Sequence, residues 1–345
     1  MGNLNRRRLI AGGLLGVVGV QTRTLRGSGA IQTPDAATPP AECLTIETFP
    51  VLAGERPHDV APAADDQRIW YTAQRAGALG LFDPETGGIE TIPLGAGSAP
   101  HGVIVGPDGA AWVTDGGLNA IVKVDGETFE LSMFPLPGAN ANLNTATIDP
   151  DGVVWFTGQR GVVGRVDPAR HEPGDQAEII EASRGQGPYG ITVTPGGEVY
   201  FASLAGNYVG RIESDSGSFR VVELDPPTPG QGTRRVWSDS QGVIWTSEWN
   251  AGQVGRYDPA TGSWQEWRLP GDSPQAYAVY VDERDDVWLS DFGSNAFVRF
   301  DSDTETFVSV PLSDPGSNVR QIHGRPGEVW GAASGVDKLV VVRCE

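Results

Sequence analysis

The stretch "GVIVGPDGAAWVTDGGLNAIVKVD", Gly102–Asp125, decides the fold. An apolar run ends in a "PDG" turn, where Asp-Gly supplies the positive φ angles that a tight hairpin needs. A second apolar segment starts at Trp112, a "DGGLN" turn follows, and a third segment runs through "AIVKVD". The same order returns in "ATIDPDGVVWFTGQRGVVGRVDP" (146–168) and "VWSDSQGVIWTSEWNAGQVGRYDPATG" (236–262). A fourth segment, such as "TFELSMFPLP" or "SWQEWRLP", ends each unit. The aromatic that opens the second segment recurs at Trp70, Trp112, Trp155, Tyr200, Trp245, Trp288 and Trp330. The intervals are 42, 43, 45, 45, 43 and 42 residues.

Four short strands per 40–45 residues are what a β-propeller blade requires. Seven aromatics therefore predict an all-β, seven-bladed β-propeller. The last unit, "VRQIHGRPGEVWGAASGVDKLVVVRCE", holds only three strands. Its missing fourth is expected from "CLTIETFPVL" (43–52), which resembles "TFVSVPL" of the preceding unit. The N-terminal strand then completes the last blade and covers edges that would otherwise stay unpaired. This placement puts Cys43 and Cys344 on neighbouring strands and predicts a disulfide between them, because exported cysteines are free to oxidise.

Composition agrees with a turn-rich β fold: 47 glycines and 26 prolines in 345 residues, with ten tryptophans to fill a core. The net charge of −19 repels phosphate backbones, so nucleic-acid binding is not expected. At the N-terminus, "NRRRLIAGGLLGVVGV" sets a basic cluster before an apolar stretch, Leu9–Val20. That stretch is shorter than the roughly 20 residues a membrane span needs, but it suits an export signal. The consecutive arginines resemble a twin-arginine signal. The expected organisation is a signal over 1–30, a flexible linker over 31–42 and the propeller over 43–345. An exported monomer without a transmembrane span, periplasmic or extracellular, is expected.

In such a ring the innermost strands line a central channel, and their loops converge at its mouth. Eleven residues before each aromatic stand His101, Asn144, Tyr189, Arg234, Tyr277 and Val319. In the first blade a longer turn brings His58 to the matching place. Three residues after the aromatic stand Ala73, Asp115, Gly158, Ser203, Glu248, Asp291 and Ala333. Arg235 and Arg320 add cations, and Trp237 and Trp249 add aromatic surface. The strand positions are uniform while these differ, which points to recognition of a small molecule or peptide at the mouth. His58, Asn144, Tyr189, Arg234, Tyr277 and Arg320 are the expected ligand contacts. His171 reads as a solvated loop residue and His323 as a packing residue. The chain has no Gly-x-Ser-x-Gly elbow and no phosphate-cradling loop.

The repeated unit, with "PHGV", "PDG", "WVTD" and "IVKVD" in order, resembles the virginiamycin B lyase (streptogramin lyase) family over Cys43–Glu345. The resemblance implies a propeller that opens a cyclic depsipeptide by elimination with magnesium, using a histidine as general base. His101 of "APH" matches that base, and His58 of "RPHD" matches a substrate-contacting histidine one blade earlier. Asp115 lies near the place of a metal-binding carboxylate, with Glu248 or Asp291 as a replacement ligand across the channel. Ala99 stands where the family has a glutamate. Such chemistry needs a neutral imidazole to take an α-proton near pH 7. The metal then offsets the developing enolate charge. Two other functions stay open on the residues. One is a non-catalytic exported propeller that binds a peptide, glycan or protein. The other is a gluconolactonase-like metal enzyme using Asp115, Asn144 and Glu248.

Overall fold

The computed structural model describes residues 44–344 apart from 183, 185–186 and 216–217. Its strands form seven antiparallel four-stranded sheets, which are the seven blades of a β-propeller. Blades 1 to 6 cover 57–93, 100–135, 143–181, 188–224, 233–268 and 276–311. Blade 7 joins Val319–Arg325, Glu328–Ala333 and Lys338–Cys344 to the N-terminal strand Leu44–Pro50. The expected closure is therefore the observed one, and its register sets Leu44 opposite Cys344. Cys43 lies outside the described residues, and so does its expected bridge to Cys344. The expected signal and linker lie there too.

Each blade's first strand packs against the first strands of its two neighbours, from Pro57–Pro62 around to Val319–Arg325 and back. The cores sit between blades. Trp70 packs with Val103, Val113 and Val122 of the next blade, and Trp330 closes the ring against Val60, Ile69 and Tyr71. Several indole N–H groups are pinned by an acid at the preceding turn. Trp155 donates to Asp149 at 2.8 Å, Trp245 to Asp239 at 3.0 Å and Trp288 to Asp282 at 2.9 Å. The same Asp149 carboxylate accepts the turn amides of Asp151 and Val153, which explains why the acid, turn and tryptophan recur together.

One irregularity positions the site. In all seven blades the pairing of the first and second strands shifts register near the channel mouth, as at Pro57/Val60, Pro100/Gly102 and Thr233/Arg235. A bulge re-aims side chains at a sheet end, and here it fixes which residues ring the channel. A hydroxyl two residues after the aromatic stitches the bulge to the next blade. Thr114 Oγ1 accepts the amide of Gly102 at 2.8 Å and donates to the carbonyl of Asn144 at 2.5 Å. Thr72 serves Asp59 and His101 in the same way, and Ser247 serves Arg235 and Tyr277. Gly102 has to be glycine, since a Cβ there would lie 2.7 Å from the carbonyl oxygen of Asn144.

Candidate active site at the channel mouth

The residue just after the last in-register pair forms one ring: His58, His101, Asn144, Tyr189, Arg234, Tyr277 and Arg320. Six of these match the spacing-based expectation. Blade 7 differs, because its first hairpin turns directly from Arg325 to Glu328 through Pro326 and Gly327. The shorter turn moves Val319 into the paired position opposite Ala333 and brings Arg320 to the ring. The next residue in each blade forms a deeper ring, in which Asp59, Thr145, Arg235 and Gln321 are buried polar side chains.

On the side of blades 1 and 2, His58 and His101 stack with ring centroids 3.7 Å apart. His58 Nδ1 lies 2.7 Å from Asp59 Oδ1, so the carboxylate holds the ring proton on Nδ1 and leaves the Nε2 lone pair free. His101 is held in the opposite tautomer. Asn144 Nδ2 donates to its Nε2 at 3.1 Å, which places the His101 proton on Nδ1. That Nδ1 is buried and has no partner. Burial holds His58 well below the usual imidazole value, with Arg235, Arg320 and Arg234 adding to the effect. Burial and the neighbouring His58 do the same to His101, against an upward pull from Asp59. Both imidazoles are neutral at pH 7.

Asp59 crosses the channel to meet Arg235 of blade 5, with Nη2 to Oδ1 at 3.0 Å and both side chains buried. Arg235 Nη1 also reaches Thr145 Oγ1 of blade 3 at 2.5 Å. Burial raises the Asp59 carboxyl even though Arg235 and His101 pull it down. This bridge separates the mouth from a cavity of about 550 Å³ at the other end of the channel, walled in part by Trp237 and His323. His323 packs against Trp237 and Tyr280, with ring centroids at 5.2 and 5.5 Å, and burial brings its pKa down to about 4. It is a packing residue, as its place in the strand suggests. His171 is a loop residue whose Nδ1 lies 3.0 Å from the carbonyl of Asp167.

On the side of blades 4 to 7, the hydroxyls of Tyr189 and Tyr277 meet at 2.5 Å. Arg234 donates to Tyr189 at 3.1 Å and lies over the Tyr277 ring, 3.7 Å from its centroid. Arg320 donates to the Tyr277 hydroxyl at 3.2 Å and to Ser334 at 2.7 Å. Phe292 stacks on Tyr277 at 4.7 Å and fixes its ring. Burial works to raise Tyr277, but Arg234, Arg235 and Arg320 together hold it below the usual phenol value.

Asp115 and Glu248, the residues expected to bind metal, sit elsewhere. Asp115 is fully buried and closes its own loop, accepting from Ala99 N, Gly117 N and Leu118 N at 2.9 Å each and from Ser98 Oγ at 2.5 Å. Glu248 is also fully buried, bonded to Gln253 at 2.6 Å and Thr246 at 3.2 Å, and burial raises its pKa to about 8. Asp291 likewise accepts from Gln275, Gly293 and Ser294. These carboxylates are turn closers.

Among the described residues, one group of three potential ligands has its donor atoms within 4.8 Å of one another: His58, Asp59 and His101. Magnesium takes oxygen ligands, usually one or two carboxylates with water. Here the single carboxylate is already engaged by an imidazole N–H and a guanidinium, and three arginines surround the site. The donor set does not fit magnesium. Asp59 and Gln321, whose side chain accepts the amide of Val60 at 2.9 Å, escaped sequence reasoning. Their signal was available, since each directly follows a ring residue in its strand.

Fold and mouth together define a propeller with a buried polar site on its axis. The chain belongs to the Virginiamycin B lyase family, which matches residues 44–342. Among solved structures, "Streptogramin B lyase structure" has a TM-score of 0.77 at 22% identity, covering 88% of this chain and 98% of its own. Virginiamycin B lyase from Staphylococcus aureus has a TM-score of 0.78 at 20% identity, covering 87% of this chain and 99% of its own. A catalytically inactive form of the latter, with quinupristin, matches at 0.78 and 19%. A gluconolactonase of Zymomonas mobilis subsp. mobilis is 31% identical over 150 residues, or 39% of this chain. The alignment spans 41% of that relative's length.

Proposed function

We propose that this protein is an exported carbon–oxygen lyase that opens a cyclic depsipeptide or related ester by β-elimination, with His58 as general base. The supporting observation is the Asp59–His58 pair stacked on His101 inside an arginine-lined mouth. His101 occupies the position that resembles the family base, but its hydrogen bond from Asn144 leaves it with a buried, unpartnered N–H rather than a lone pair. His58 Nε2 takes the α-proton of the residue whose β-carbon carries the ester oxygen, beside that residue's backbone carbonyl, and the ester carboxylate is the leaving group. The C–H electron pair becomes the new double bond, the Cβ–O bond breaks, and the leaving oxygen keeps its pair. Asp59 orients His58 and stabilises the imidazolium. The His101 N–H and the guanidinium groups face the oxygen on which negative charge develops.

Incubation with quinupristin tests this reading. Turnover should give a product of unchanged mass with new double-bond absorbance, and it should persist after chelation because no metal step is used. A ligand that binds at the mouth without turnover would instead favour a binding propeller.

A further inference from the structure

The two sides of the mouth differ in charge accounting. Arg235 is neutralised by Asp59 at 3.0 Å. Arg234 and Arg320 are partnered by phenol and serine hydroxyls, and among the described residues neither makes an ion pair. Arg234 Nε is buried without a hydrogen-bond partner, and so is His101 Nδ1. Both guanidinium groups approach one ring, at 3.7 and 5.7 Å from the centroid of Tyr277. The whole chain carries 44 acidic and 25 basic side chains. Arg234 and Arg320 are half-buried guanidinium groups without an ion-pair partner among the described residues, and they converge on one ring and its hydroxyl, an arrangement an anion would complete. A carboxylate matches the planar guanidinium fork.

We propose that the ligand of this mouth carries its own carboxylate, held between Arg234 and Arg320 above Tyr277, with the His101 N–H as a further donor. This deepens the elimination reading and rests on it for the reaction. Among the β-oxygen substrates that this reaction admits, the favoured class is a carboxylic acid with a hydrogen on its α-carbon and an oxygen leaving group on its β-carbon, ahead of a closed depsipeptide, whose α-carbonyls are bound up in amides and ester. An α-proton beside a carboxylate is released only if the added charge is offset, and two guanidinium groups can do that. His58 takes the proton, the pair forms the Cα–Cβ double bond, and the β-oxygen departs with its own pair.

Binding is measured separately from turnover. Calorimetric titration with D-galacturonate and with its neutral methyl ester, supported by Trp249 fluorescence, reads the anion site alone. Trp249 lies 5.0 Å from the Arg234 guanidinium carbon and so reports on it. The acid should bind at least tenfold tighter than the ester, and binding should weaken as salt rises. Arg234→Gln and Arg320→Gln should each lose tenfold or more, with unchanged folding by circular dichroism. Acetate at tens of millimolar should compete. Equal binding of acid and ester, no binding of either acid, or full binding by the Arg234→Gln, Arg320→Gln double variant would overturn the proposal. Charge-dependent binding without elimination of a 4-O-linked galacturonate would keep the anion site and remove the lyase. Elimination of quinupristin at an undiminished rate by the double variant would do the reverse.

Discussion

In blades 2, 5 and 6 two polar residues stand at the mouth end of neighbouring strands, and they behave in opposite ways. The carboxylates that end the second strands, Asp115, Glu248 and Asp291, are satisfied by amides and side chains of their own turns. Among the ring residues at the adjacent bulges, His101 Nδ1 and Arg234 Nε keep unfilled valences. Burial alone therefore does not mark a functional residue here. Nor does an unpaired atom by itself, since the packing residue His323 also keeps an Nδ1 without a hydrogen-bond partner. What sets the ring apart is that two stacked imidazoles and two guanidinium groups without an ion-pair partner among the described residues meet at one mouth.

Substitutions can break that contrast in order of effect. His58→Ala should lower kcat by about 10²–10⁴-fold on a turned-over substrate, the range expected for losing a general base. His101→Ala should cost less if it only donates. A larger loss at His101 than at His58 would exchange their roles. Because both imidazoles are held low by burial, activity should stay level through pH 6.5 and fall only well below it. Their effect on stability has the same acid-side sign. The unfolded histidines take protons near pH 6.5 that the folded ones refuse, so stability falls as pH drops below that value.

Arg235→Leu removes one partner of the bridge across the channel and leaves Asp59 buried and unpaired. Urea denaturation should show a loss of about 3–5 kcal/mol, and a double variant with Asp59→Asn should recover part of it. Thr114→Val keeps shape but removes the stitch between Gly102 and Asn144, and should cost about 2 kcal/mol by the same measurement. Loss of less than 0.5 kcal/mol would mean that the stitch is ornamental.

The smallest effect separates turn closers from site residues. Glu248 has its pKa raised to about 8 from an ordinary 4.5, so its protonated form favours the folded state. That contribution is complete below about pH 4.5 and disappears as pH rises through about 8. Glu248→Gln should therefore match the wild type at pH 4.5 and melt a few degrees higher at pH 8–9. Its turnover should be unchanged. A fall in turnover would return Glu248 to the site.

Much of this molecule was legible in the chain. The repeated turn, aromatic and strand spacing set seven blades, since each segment's alternation and tight turns are local properties. The missing strand of the last unit likewise named the segment 43–52 as the closure, and the strand within it is Leu44–Pro50. Five of the seven ring residues followed from one spacing and His58 from a turn one residue longer, while the seventh failed because a hairpin one residue shorter moves Arg320 into the place counted for Val319. Spacing also offered Asp115 and Glu248 as ligands, because a sequence does not record whether a carboxylate is already satisfied.

Only the closed ring decided the rest. Asp59 and Arg235 are 176 residues apart and meet across the axis only because blades 1 and 5 share it. The bulge determines which of two consecutive side chains turns inward, and the partners then set tautomer and charge. The blades follow from short-range pattern, whereas the site depends on contacts between distant blades. The proposal of His58 as base rests on such a contact, its neighbour Asp59 being held in turn by Arg235 from the opposite side of the channel.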